Sequence, residues 1–170
     1  MTTIGLISDT HSYLHPDVAG LLQHCDEIWH GGDFGQIKWV NDLQDQLAAM
    51  GKNPLIRGVY GNIDGKDIRA VFPERLFFTC EDVKVMMQHI GGYPGKYAPG
   101  VKSFLAQNKL KLFISGHSHI LKIMYDDKLG CLHMNPGAAG QQGWHKVKTL
   151  VRFVIDGSEI KNCEVVELGT

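Results

Sequence analysis

Residues 4–11 read Ile4-Gly5-Leu6-Ile7-Ser8-Asp9-Thr10-His11. A short apolar run, read as a strand over 3–8, stops at a carboxylate and an imidazole two residues apart. The arrangement recurs along the chain. Glu27-Ile28-Trp29 runs into His30-Gly31-Gly32-Asp33, and Leu55 to Tyr60 runs into Gly61-Asn62-Ile63-Asp64. Val83 to Met87 runs into Gln88-His89, and Leu110 to Ile114 runs into Ser115-Gly116-His117-Ser118-His119. In open α/β sheets, ligands bind just beyond the carboxyl ends of the strands. Strands lying side by side would bring these loops together as a cup of carboxylate, imidazole and amide. Glycines at 31, 32, 61 and 116 suit the tight turns and close backbone approaches such a cup needs.

The donor types define the chemistry. Imidazole nitrogen with carboxylate oxygen suits Mn, Fe, Zn or Ni, and no cysteine is placed to soften the site. Two divalent ions about 3.5–4 Å apart can clamp the attacking and leaving oxygens of a phosphoryl centre. Each motif alone is commonplace, since Gly-Asn and Gly-Gly-Asp are ordinary turns. The recurrence after one apolar run after another is what points to a metal centre.

The rest of the chain supplies the frame. Apolar spacing predicts helices over 16–24, 36–50 and 99–108, with Ile37, Val40, Leu43, Leu47 and Met50 on one stripe of the second. Strands are expected at 26–30, 54–60, 75–80, 83–88 and 110–115, and then at 120–126, 130–135, 147–155 and 159–166. Turns are read at Glu81-Asp82, Asp126-Asp127, Asn135-Pro136-Gly137 and Asp156-Gly157. Alternating strands and helices leading into a β-rich end predict an α/β domain of two packed mixed sheets with helices on the outer faces. The 170 residues fit one domain, 1–170.

Composition excludes other classes. Apolar residues make up 44% and charged residues 21%, with 17 basic against 18 acidic. No apolar run reaches the roughly 20 residues that span a bilayer. No Lys/Arg run marks an extended nucleic-acid surface. The N-terminus shows no signal-peptide pattern, and the four cysteines make no C-x-x-C pair, so reduced thiols and a cytoplasmic location are expected. Gly91-Gly92-Tyr93-Pro94-Gly95-Lys96-Tyr97 fails the P-loop pattern at Ile90 and Tyr97, and reads instead as a flexible rim with Lys96 or Tyr97 near substrate. His15 and His24 are expected at the surface, and His133 and His145 lack motif partners.

The ordered set Asp-x-His, Gly-Asp, Gly-Asn, lone His and Gly-His-x-His, from Asp9 to His119, resembles the calcineurin-like metallophosphoesterase superfamily. Chain length and Asn135-Pro136-Gly137 resemble its small bacterial and archaeal phosphodiesterase branch. The resemblance implies a four-layer α/β/β/α fold, with the β-rich end supplying the second sheet. It implies two divalent metals, Mn²⁺ foremost, with Asp9, His11 and His119 on the first and Asn62, His89 and His117 on the second. Asp33 would bridge both, with a shared hydroxide attacking phosphorus in line. Asp33, Asn62, His117 and His119 would be the catalytic members, although His119 could instead touch the second metal or the substrate. The expected partner is a small phosphate ester such as a nucleotide, with no membrane, and a homo-oligomer stays open.

Two positions depart from the family pattern. Many members carry His after Gly-Asn to protonate the leaving group, and here Ile63 stands there. Asp64 and His30 are the substitutes the sequence offers, and a diester preference over alkyl monoesters is expected. His89 is followed by Ile90 before Gly91, so an altered loop is expected rather than a lost ligand. The alternatives are a phosphomonoesterase or protein phosphatase, or a protein-interaction scaffold, the role of a retromer subunit that resembles the same superfamily. All seven ligand positions are filled here, which favours the enzyme.

Overall fold

The computed structural model describes residues 1–169. Its strands are β1 (Thr2–Ile7), β2 (Glu27–His30), β3 (Leu55–Gly58), β4 (Arg75–Cys80), β5 (Val83–Gln88), β6 (Gly92–Tyr93), β7 (Lys96–Tyr97), β8 (Leu112–Ile114), β9 (Leu121–Asp126), β10 (Cys131–Pro136), β11 (Lys148–Asp156) and β12 (Glu159–Leu168). Its helices are α1 (Val18–Leu22), α2 (Lys38–Ala49), α3 (Lys66–Arg69) and α4 (Val101–Gln107). One five-stranded sheet has the order β12-β11-β1-β2-β3 and the other β4-β5-β8-β10-β9.

Alternation along the strands sorts the layers, because successive side chains leave opposite faces. Ile4 and Leu6 of β1, Trp29 of β2, Val85 and Met87 of β5, and Leu112 and Ile114 of β8 fill the space between the sheets. Ile7 and Ile28 face the other way, onto Val18 and Leu22 of α1 and Val40, Leu43 and Leu47 of α2. On the far side Met86 and Phe113 pack against Val101 and Leu105 of α4. The result is the expected four-layer α/β/β/α arrangement. A Cβ at Gly5 would lie 2.5 Å from Leu22 Cδ2, so glycine lets α1 close onto the first sheet. Helix α2 ends where Gly51 takes φ +74° and Lys52 N–H reaches back to the Leu47 carbonyl.

Two expectations need correction. The β-rich end does not form the second sheet by itself: β9 and β10 join it, whereas β11 and β12 extend the first sheet antiparallel to β1. The strands bearing the ligand motifs are also not one row. β1, β2 and β3 are parallel neighbours in one sheet, and β5 and β8 are parallel neighbours in the other. Strands buried on both faces read as plain apolar runs, so their composition carries no sheet assignment. Pro136, read as a turn residue, closes β10 opposite Leu121. The hairpin β6–β7 and the single turn α3 carry no periodicity and escape a pattern reading.

Candidate metal centre

Register brings the motifs to one rim. Ile7, His30 and Gly58 lie side by side at the ends of β1, β2 and β3, while Met87 and Ile114 pair at the ends of β5 and β8. The loops that follow are laced together by backbone hydrogen bonds. Asp9 N–H donates to the Gly32 carbonyl at 3.0 Å, His11 N–H to Asp33 at 3.0 Å, and Gly116 N–H to His89 at 3.0 Å. Positive φ is uncommon for a residue with a Cβ and costs roughly 1–2 kcal/mol. Asp9, His11, Ser12, Asp33, His117 and His119 all adopt it, with φ between 44° and 72°. Backbone strain is thus concentrated where the candidate ligand side chains must turn inward.

The six charged or imidazole candidates form two groups, Asp9 with His11 and His119, and Asp33 with His89 and His117. Within each, one ligand atom per residue lies within 4.8 Å of the others. Asp33 Oδ2 stands 3.5 Å from His11 Nε2 and 3.1 Å from His89 Nε2, between the groups. Asp9 Oδ1 is 3.3 Å from His119 Nε2 and 3.8 Å from His89 Nε2. The seventh residue, Asn62, places its Oδ1 3.1 Å from His89 Nε2 and 3.0 Å from His117 Nδ1. All seven sequence candidates therefore meet in one cup.

The surroundings aim these atoms. Ser8 Oγ donates to Asp9 Oδ2 at 2.6 Å, and His117 N–H donates to the same oxygen at 3.1 Å. Asp9 Oδ1 remains buried without a hydrogen-bond partner, as does His11 Nε2. Buried polar atoms are seldom left so, and these two suit a cation between them. His89 Nδ1 donates to the Gly31 carbonyl at 2.7 Å, which leaves Nε2 as the coordinating atom. Burial pulls the pKa of His89 down, but the hydrogen bond to Asp33 and the charges of Asp9 and Asp33 outweigh it and raise it. Burial pushes the Asp33 carboxyl up, and the hydrogen bond and charge of His89 more than reverse this, so its pKa is lowered. The Asp9 carboxylate close beside it raises that of His119. A Cβ at Gly61 would lie 2.1 Å from Asp33 Oδ1, and one at Gly32 2.5 Å from His89 Nδ1, so these two positions must be bare.

Neither candidate for the missing acid is available. His30 is wholly buried, stacked on Phe34 with centroids 3.6 Å apart, and burial pulls its pKa down to about 3. Its Nδ1 accepts from Gly32 N–H at 3.1 Å, leaving Nε2–H for Thr10 Oγ1 at 3.0 Å. Asp64 accepts from the N–H groups of Phe34, Gly35 and Gly61 and acts as a loop organiser. Ile63 serves through its backbone, donating N–H to Asp33 Oδ1 at 3.0 Å.

Other expectations change too. His15 is buried, not at the surface, because its Nε2 donates to the Gly169 carbonyl at 2.6 Å as the C-terminal strand folds back over it. Tyr97 is committed to Asp126, donating its hydroxyl at 2.7 Å. The loop at 91–98 is a pinned hairpin, with Ala98 N–H on the Gly91 carbonyl at 3.0 Å. His145, without a motif partner in sequence, stands against His119 with ring centroids 5.2 Å apart. Only its position in the folded chain reveals it.

The sequence matches the model of the calcineurin-like phosphoesterase superfamily domain over residues 2–158. The chain belongs to that superfamily. No curated protein matches this calcineurin-like phosphoesterase. Among solved structures it is similar to a predicted phosphoesterase from Streptococcus pneumoniae, with 22% identity over 98% of this chain and 89% of that one, TM-score 0.68. It is similar to a Thermotoga maritima protein, with 24% identity over 99% and 100% of the two chains, TM-score 0.68. It is also similar to Vps29 of Entamoeba histolytica complexed with Zn²⁺, with 18% identity over 97% and 98%, TM-score 0.71. These likenesses establish the fold. No helix among the described residues is long and apolar enough to cross a membrane.

Proposed function

We propose that this calcineurin-like phosphoesterase is a metal-dependent phosphodiesterase whose residues 1–170 act as one domain. The observation that carries the reading is the pair of buried, unpartnered atoms, Asp9 Oδ1 and His11 Nε2, inside two three-residue donor groups joined by Asn62. Two divalent ions bound there, Mn²⁺ by preference, would supply Lewis acidity to the phosphoryl oxygens and a nucleophile at neutral pH. Asp9, His11 and His119 would hold one ion, Asn62, His89 and His117 the other, and Asp33 both. The protein's own share is positioning. Ile63 N–H and His89 orient Asp33, Gly31 orients His89, and Ser8 orients Asp9.

Ile63 at the acid position supports diesters over alkyl monoesters, because nothing there can protonate a poor leaving group. The free cysteines, three buried and Cys163 exposed, suit a reducing cytoplasm. The test strips the protein with a chelator, restores Mn²⁺, and compares bis-p-nitrophenyl phosphate, p-nitrophenyl phosphate and a simple alkyl monoester, with Asp33→Ala as control. Diester cleavage that needs metal and vanishes in the variant is expected. Equal turnover of the alkyl monoester would remove the diester preference, and no turnover by a metal-loaded protein would favour the scaffold.

A further inference from the structure

Trp144 is 100% exposed, whereas Trp29 and Trp39 are 0% and 3% exposed. Among the described residues it is the most open large apolar side chain, ahead of Met1 at 77%. Exposing a whole indole forgoes burial of one of the largest apolar surfaces a side chain carries. A fully open indole offers a flat face on which another planar group can stack.

Its backbone is anchored at the metal centre. The segment between β10 and β11 carries Gly140-Gln141-Gln142-Gly143-Trp144-His145-Lys146. Gly140 N–H donates to the Asp9 carbonyl at 3.1 Å. A Cβ at Gly140 would lie 2.6 Å from that carbonyl oxygen, so the loop lies directly on the Asp9 strand end. Gly143 has φ +118°, and a Cβ there would lie 2.2 Å from His119 Nδ1. His145 Nε2 donates across the loop to the Gly140 carbonyl at 2.8 Å, and its ring stands edge-on to His119. Trp144 therefore sits between two residues that both press on a candidate ligand histidine, held by a cross-loop hydrogen bond. The stretch of chain that carries it is basic. Lys146 and Lys148 follow it, and no Asp or Glu occurs from Gly137 to Ile155. Of the other exposed apolar side chains at the rim, Ile63, Ile90 and Ile120 each follow a candidate ligand and are aliphatic, and Tyr93 already carries the Lys122 ammonium 4.3 Å from its ring centroid.

We infer that Trp144 is a stacking platform for a planar aromatic group carried by the phosphodiester substrate, and that this group is a nucleobase. An indole face beside lysines, next to a phosphate-directed centre, matches a flat heterocycle joined to an anionic ester. Stacking on an aromatic side chain is tolerant of base identity, because every base has a π-face. The inference rests on the phosphodiesterase reading.

Buried Trp29 and Trp39 make the test clean, since solvent-exposed indole emission comes from Trp144. The chelated full-length protein, excited at the red edge of indole absorption, is titrated with adenosine 5′-monophosphate and, separately, ribose 5-phosphate. Quenching of the exposed emission by the nucleotide alone is expected, and Trp144→Phe should abolish the signal while keeping calorimetric affinity. Trp144→Ala, at a site with no packing to lose, should weaken nucleotide affinity about tenfold and leave ribose 5-phosphate unaffected. With Mn²⁺ restored, thymidine 5′-(p-nitrophenyl phosphate) and methyl p-nitrophenyl phosphate share a leaving group and differ in the base. Their kcat/KM ratio should fall about tenfold in Trp144→Ala. Identical binding of nucleotide and sugar phosphate, or an unchanged ratio, would overturn the inference while leaving the phosphodiesterase intact. Nucleotide-specific quenching with neither diester cleaved would keep the stacking site and remove the phosphodiesterase.

Discussion

Asp9, His11 and His119 form one candidate ligand group and Asp33, His89 and His117 the other, and the fold prepares them differently. The second group is bonded through its own side chains. Asn62 Oδ1 lies between His89 and His117, and the Gly31 carbonyl sets the His89 ring. The first group holds the orphaned atoms, Asp9 Oδ1 and His11 Nε2. In the second group His89 is 3% exposed and His117 is exposed, while in the first Asp9 is buried and the side chains of His11 and His119 are each 17% exposed. An imidazole already held by neighbouring side chains loses little freedom on coordination, so the second group, with Asn62 against both of its imidazoles, is the pre-organised one. In the first group, coordination would itself remove the unpaired polar atoms, so a metal bound there would contribute more to completing the fold.

The severest way to break this comparison is to remove Asp33, which stands between the groups. Asp33→Ala should lower metal-dependent hydrolysis by on the order of 10²–10³-fold and abolish binding at both groups, read by steady-state kinetics and metal analysis. Residual binding of both ions would show that Asp33 bridges neither. His11→Ala and His89→Ala should each cost one ion and the stabilisation it brings. A site saturated at 100 times its Kd adds about 2.7 kcal/mol, on the order of 5–10 °C in melting temperature for this size of chain. Scanning calorimetry against metal concentration resolves the two steps, and loss of the same step in both variants would merge the groups. Ser8→Ala removes one of the two donors to Asp9 Oδ2 and should weaken only the first ion, by about 10–100-fold. An equal effect on both ions, followed by competition with a fluorescent chelator, would contradict a local role.

The smallest effect separates the groups by proton rather than metal. Without metal, the raised pKa of His89 stabilises the fold below its unfolded value of 6.5, and that contribution is lost as pH rises through the folded value. The lowered pKa of Asp33 contributes above its unfolded value of 3.8 and fades as pH falls through the folded one. The chelated protein should therefore gain from this pair between about pH 4 and pH 6.5, and lose some of that gain above it. A metal held by His89 would displace its Nε2 proton, so the loaded protein should show the opposite slope above pH 6.5. Calorimetric melts across pH, with and without Mn²⁺, check the crossing, and parallel curves would count against His89 as a ligand.

Much of the site is legible in the order of residues alone. Each donor follows an apolar run, and the types of donor limit the chemistry. The hairpin strands β4 and β5 lie where the pattern places them, because alternation and the Glu81-Asp82 turn agree. What escapes such a reading lacks that agreement. His145 and Trp144 sit in a polar loop without periodicity, and only packing against His119 gives them a place. His15 looks like a solvent-facing residue before proline until the distant Gly169 carbonyl reaches it. His30 looks like a candidate acid until its stacking on Phe34 shows it to be core.

The sequence by itself determined which donors the protein has and the strand ends on which they stand, since spacing and residue type are local properties. Tertiary structure alone decided that those strands divide between two sheets, which histidines gather in the cup and which are core, and that a tryptophan stands open beside the centre. Burial and register arise from contacts between residues far apart in the chain. A residue's own neighbours in sequence say nothing of them.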